Sequence, residues 1–114
     1  GLATTAVNLS SFLGSDAAGH GYDSGNGRLY TSGGSSAYGS TFGTDDVIEI
    51  LYDASSGELR FTLNGSIQHS GLPAETGLAG PRFAAVSIGK STDFVTIHGT
   101  LSSYASASGY SMWD

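Results

Sequence analysis

The sequence predicts an all-β chain folded as an antiparallel sandwich, and three observations predict it. Apolar and polar residues alternate with a period of two in the clearest segment, Glu58-Leu59-Arg60-Phe61-Thr62-Leu63. Short apolar segments are punctuated by clusters of Gly, Ser, Asn and Asp, which are turn formers. No stretch of ten or more residues spaces its apolar side chains at three and four, as a helix would require. Short strands joined by Gly-rich turns pack as a sandwich or barrel.

The elements follow in chain order. Residues 10–13 are at most one helical turn. Residues 21–23 and 28–31 flank Ser24-Gly25-Asn26-Gly27 and read as a short hairpin. The Gly/Ser stretch 32–40 reads as a mobile loop. The β-branched run 47–52 ends in the turn cluster 53–57, so it pairs with the strand over 58–63. Asn64-Gly65 is a two-residue hairpin turn, because both positions tolerate positive φ, and it returns the chain as a third strand over 66–69. Two more strands are expected over 83–88 and 94–98, separated by the turn composition of 89–93.

With 114 residues there is room for one core, so residues 1–114 are expected to form a single domain. Charged residues make up 12% of the chain, and Gly alone contributes 18 positions. Aromatic residues make up 11%, and with recurrent Val, Ile and Leu they supply enough apolar surface to offset the entropy of ordering. The net charge is −6, and the only cations, Arg28, Arg60, Arg82 and Lys90, are scattered, which argues against nucleic acid or an anionic membrane surface as partner. Without cysteine the chain has no disulfide and no thiolate metal site. No apolar run reaches the length of a membrane helix, so no membrane insertion is expected. A Lys-poor, Gly/Ser-rich, cysteine-free composition suits an extracellular or virion surface. A first residue other than Met reads as a processed chain or part of a longer one.

Catalytic and metal-binding patterns fail one by one. His20, His69 and His98 lie on different segments without the short spacing of a metal site, and His98 reads as an outward strand position. Asp45-Asp46 is too small a set for a hard cation and fits a cap at the start of a strand. There is no Gly-x-Ser-x-Gly elbow, and Gly25-Asn26-Gly27 lacks the third glycine and following helix of a phosphate loop. No catalytic residue, metal or cofactor is therefore assigned. Asn8 and Asn64 fit the glycosylation pattern, which matters only in a secretory context. Aromatic side chains are more numerous than the strand alternation needs. Tyr30, Tyr52 and Trp113 are assigned to the core, with Tyr22, Tyr104 and Tyr110 left open. Tyr38, in the Gly/Ser loop, is the first candidate for an exposed contact.

The order of several short motifs resembles the SPRY (B30.2-like) family along nearly the whole chain. They are Gly1-Leu2-Ala3-Thr4, Leu13-Gly14-Ser15-Asp16, Gly21-Tyr22, Gly27-Arg28-Leu29-Tyr30 and Asp46-Val47-Ile48, followed by Gly57-Glu58-Leu59-Arg60-Phe61-Thr62-Leu63-Asn64-Gly65, Gly71-Leu72 and Ala84-Ala85-Val86-Ser87. Residues 103–114 resemble the tail of bacterial and phage-type members. The resemblance implies a bent, concanavalin-like sandwich of jelly-roll type, non-catalytic, that binds a protein or peptide through its loops. The corresponding loops are 9–12 and 89–91, with 32–38 beside them, so the partner-binding candidates are Leu9, Phe12, His20, Ser35, Tyr38, Gly89, Lys90 and Ser91. His20 stands where the family often has Trp, Lys90 where peptide binders often present an aromatic ring, and residues 66–71 form a shorter connection. Strands that in the family normally precede the Gly-Leu-Ala-Thr segment are not present in this sequence, so it reads either as a reduced variant or as a sandwich completed by a neighbouring chain, copies of itself included. Three functional readings stand: a loop-based protein-interaction or assembly module, an extracellular or virion subunit assembling through an open sheet edge into oligomers or filaments, and a glycan-binding lectin-like domain.

Overall fold

The computed structural model describes residues 1–96. Its longest strands arise where the sequence alternates most cleanly. Strands β5 (Ile48–Asp53) and β6 (Glu58–Leu63) pair antiparallel along their full length, Ile48 opposite Leu63 and Asp53 opposite Glu58. The turn between them is closed by Asp53, whose carboxylate accepts the Ser55 amide at 2.8 Å and the Ser55 hydroxyl at 2.6 Å; those bonds hold its pKa down to about 2. The next turn has Asn64 and Gly65 at φ 50° and 82°, the left-handed geometry that matches strand twist in a tight hairpin. Strand β7 (Ser66–Ile67) is shorter than the sequence predicts. His69 and Ser70 turn to positive φ, and the chain leaves the sheet through a 3-10 turn at His69–Gly71.

The second sheet is ordered β4-β3-β2-β1-β8 and built from β1 (Leu2–Ala3), β2 (Gly19–Tyr22), β3 (Arg28–Thr31), β4 (Gly34–Ala37) and β8 (Phe83–Ala84), all antiparallel. The expected mobile loop over 32–40 is thus an edge strand, folded back at Ser32 and Gly33 and paired with β3. Of the expected 83–88 strand, Phe83 and Ala84 pair with β1 and Ala85 exchanges backbone bonds with Gly1 at 2.9 and 2.8 Å, after which the pairing stops. Residues 94–96 form no strand, and positions 97 and 98 of that expected element lie outside the described residues. Residues 10–13 form turns and bends rather than a helical turn.

The sheets face one another across a core of Leu2, Tyr22, Leu29 and Tyr38 from one side and Leu59 and Phe61 from the other. Leu59 and Phe61 are fully buried, each contributing roughly 1.5–3 kcal/mol of transfer free energy. Tyr22, Tyr38 and Phe61 form a triangle of tilted and edge-to-face rings with centroids 5.2, 5.4 and 5.8 Å apart. Ile48, Ile50 and Tyr52 pack against the same core, half-buried.

Two contact assignments made from sequence are corrected here. Tyr38 does not stand out from a loop: it is 6% exposed and belongs to the core. His20 is not at a loop edge: it lies within β2 and is 4% exposed, because β2 is covered on both faces. Tyr30, assigned to the core, is only half-buried and lies on the opposite face of its sheet from Leu29. His98, Tyr104, Tyr110 and Trp113 lie outside the described residues.

Candidate functional site

The outer face of the five-stranded sheet positions the site. Residues 7–14 lie flat across β1 and β2 there, and the close approach needs glycine beneath. A Cβ on Gly19 would come within 2.8 Å of Leu13 Cδ1 and 3.1 Å of the Gly14 amide nitrogen, and one on Gly21 would strike the Leu13 carbonyl. Asp16 fastens the segment, its two carboxylate oxygens accepting the Asn8 amide at 2.8 Å and the Ala18 amide at 2.9 Å. Asn8 in turn accepts the Ser10 amide at 2.8 Å. The Thr4 amide donates to the Ala18 carbonyl, and the Ser32 and Gly33 amides to the carbonyls of Asp16 and Gly14.

Pinned this way, residues 9–12 overhang the sheet. Phe12 packs edge-on against Tyr30, ring centroids 5.6 Å apart, and the Leu13 amide donates to the Ser87 hydroxyl at 3.2 Å. That last bond spans the loop and the segment after β8, and between them lies an open groove of about 350 Å3. Its walls are residues 9–12 on one side and Ser87, Ile88 and Gly89 on the other. Leu9 is 93% exposed, and Phe12 and Ile88 are about half exposed at 50% and 53%. Three serines line the same groove, so apolar contact and hydrogen bonding are available side by side.

A second, larger depression of about 590 Å3 lies between residues 26–28, 37–40 and 67–70. Several of its polar groups are engaged within the fold. Gln68 Oε1 accepts the Ser40 amide at 3.0 Å and the Tyr22 hydroxyl at 3.3 Å, the Tyr22 hydroxyl also donates to the Ser40 carbonyl, and the His69 ring packs on Tyr38.

Of the residues singled out from sequence, Leu9, Phe12 and Gly89 meet in the first groove, while Lys90 and Ser91 follow it in the chain and are exposed. Ser35 is exposed on β4 opposite Tyr30, its hydroxyl and carbonyl accepting from Arg28 at 2.9 and 3.0 Å. His20 and Tyr38 are in the interior. Ser87 and Ile88 were missed, because the β-branched run around them reads as a strand.

His20 lies with Nδ1 4.0 Å from Glu75 Oε1, and neither ring nitrogen has a hydrogen-bond partner. Burial, and secondarily the nearby Arg82, push its pKa below the ordinary value. Nothing nucleophilic is bonded to it. Among the described residues no three His, Cys, Asp or Glu side chains gather as metal ligands, and no helix is long and apolar enough to cross a membrane.

The described residues thus form a two-sheet sandwich that carries a loop-built groove on the outer face of its larger sheet. Residues 1–100 match the model of the SPRY domain, and the chain belongs to that family. SPRY domains generally mediate protein–protein interaction and are generally non-catalytic. No curated protein matches the chain.

Proposed function

We propose that the groove between residues 9–12 and 87–89 binds an extended peptide segment of a protein partner. An apolar side chain of the peptide sits among Leu9, Phe12 and Ile88, and its backbone bonds to the neighbouring serines. Lys90 and Ser91 follow the groove wall in the chain and are exposed, and Ser35 lies on β4 opposite Tyr30, the ring on which Phe12 packs. The observation that carries this reading is the exposure of Leu9 at 93% on a segment held by the Asp16 carboxylate and the Leu13 to Ser87 bond. Holding an apolar side chain in water has no benefit to folding, and fixing the loop beforehand lowers the entropy cost of association. The test is selection of a random peptide library on the immobilised chain, followed by titration of an enriched peptide. Leu9→Ser with Ile88→Ser should weaken its affinity by about tenfold to a hundredfold, the worth of one or two buried apolar side chains, with the melting temperature unchanged. Equal affinity for the double variant refutes the groove.

Self-association is a second reading, favoured by one observation. Strand β5 is bonded to β6 along one edge, and along the other it has no strand partner among the described residues.

A further inference from the structure

Deepening that second reading, we propose that the edge of β5 that has no strand partner among the described residues pairs with a second copy of this chain, antiparallel about a twofold axis through Ile50. The direction of the β5 hydrogen bonds comes first. Leu59 and Phe61 turn their backbone groups away from β5. The Leu59 amide donates to Glu75 and its carbonyl accepts from Ala74, while the Phe61 carbonyl accepts from Gln68 and its amide meets the Tyr38 hydroxyl. The Asn64 amide donates to the Val47 carbonyl, so the pairs that exchange bonds are Glu49 with Thr62, Leu51 with Arg60 and Asp53 with Glu58. Ile48, Ile50 and Tyr52 therefore direct their N–H and C=O groups outward, in a row along one edge. A row of that kind is a template for another strand.

The side chains then select the register. Two copies of β5 can exchange bonds only where outward-facing residues meet, which restricts a well-overlapped antiparallel twofold pair to centres at Glu49, Ile50 or Leu51. A centre at Glu49 sets Glu49 against itself, and a centre at Leu51 sets Glu49 against Asp53. Like charges directly opposite are destabilising, more so in a chain of net charge −6. The centre at Ile50 avoids both. It places Ile48 against Tyr52 twice, an aromatic–β-branched pair, Ile50 against Ile50, and Glu49 against Leu51, with about six new backbone bonds. Ile48, Ile50 and Tyr52 are the same residues that pack half-buried on the core, so the pairing continues the apolar face across the axis. The contact is isologous and closes at two copies.

Sedimentation of the chain across a concentration series, with hydrogen exchange at both ends of the series, tests this. The expected result is a monomer–dimer equilibrium in which the Ile48, Ile50 and Tyr52 amides gain protection as the dimer forms. The chain has no cysteine, so a cross-link reports without background. Residues paired across the axis lie about 5.5 Å apart at Cα, within disulfide reach. Ile50→Cys should cross-link under oxidised glutathione, and Glu49→Cys should not. A monomer at all concentrations overturns self-association altogether. A dimer whose three amides still exchange freely leaves self-association standing and overturns the β5 contact. Cross-linking of Glu49→Cys in preference to Ile50→Cys overturns the register. Should Ile50→Cys fail to fold, exchange on the unaltered chain decides the matter.

Discussion

The Tyr38 hydroxyl accepts the backbone N–H of Phe61 at 3.1 Å, joining the end of the five-stranded sheet to the middle strand of the other. Phe61 is fully buried, so no solvent replaces that acceptor. Tyr38→Phe keeps the ring contacts with Tyr22 and Phe61 and orphans the amide. Urea unfolding should show a loss of about 1–3 kcal/mol, the cost of one unsatisfied buried donor. A variant as stable as the parent would mean that the amide finds another partner. The same geometry makes Tyr38 unsuitable as a surface probe, since truncating it would unfold the domain before it reported on binding.

Gly21 should behave differently. A methyl there meets the Leu13 carbonyl and lifts the segment that carries Leu9 and Phe12. Gly21→Ala is expected to cost about 1–3 kcal/mol, the usual range for overpacking, and to abolish binding of a library-selected peptide at temperatures where the domain remains folded. Calorimetric titration below the melting transition checks it.

His20 sets a pH dependence. Its folded pKa lies below the ordinary 6.5, chiefly through burial and then through Arg82, so between those two values the unfolded chain binds more protons than the native one. Its contribution is fully present above 6.5 and is lost as pH falls through that value towards the folded one. Glu75 Oε1 lies 4.0 Å from the ring, too distant for a hydrogen bond. Thermal melts from about pH 7 down to about pH 5 should show a falling melting temperature, and His20→Leu should flatten that slope. An unchanged slope in the variant would assign it to other groups.

Leu59 tests the core. It is fully buried between the sheets, and Leu59→Ala should cost about 2–5 kcal/mol in chemical unfolding. Ile67→Ala, on a side chain 44% exposed, should stay within about 0.5 kcal/mol of the parent.

The fold was legible where side-chain alternation and turn chemistry agreed. Strands β3 and β6 fall on the residues expected, and β5 is displaced by one position. Strand β4 was not legible: Gly-Ser-Ser-Ala carries no apolar period, and its strand character comes only from pairing with β3. That miss carried Tyr38 with it, because a residue inside a supposed mobile loop has no reason to be buried. His20 was misplaced for a related reason, since the cover on its strand comes from residues 7–14 and from the opposite sheet, both non-local. The 9–12 wall of the groove came from family resemblance, and Gly89 of the opposite wall with it. Ser87 and Ile88 were hidden, because an apolar run that leaves its sheet after Ala85 looks like one that stays.

Chemical-shift mapping of the labelled chain with a library-selected peptide tests the recognition role most directly. Shifts should cluster at residues 9–12 and 87–89, with Leu13 following through its bond to Ser87. Shifts confined instead to residues 26–28, 37–40 and 67–70 would contradict it and move recognition to the other depression.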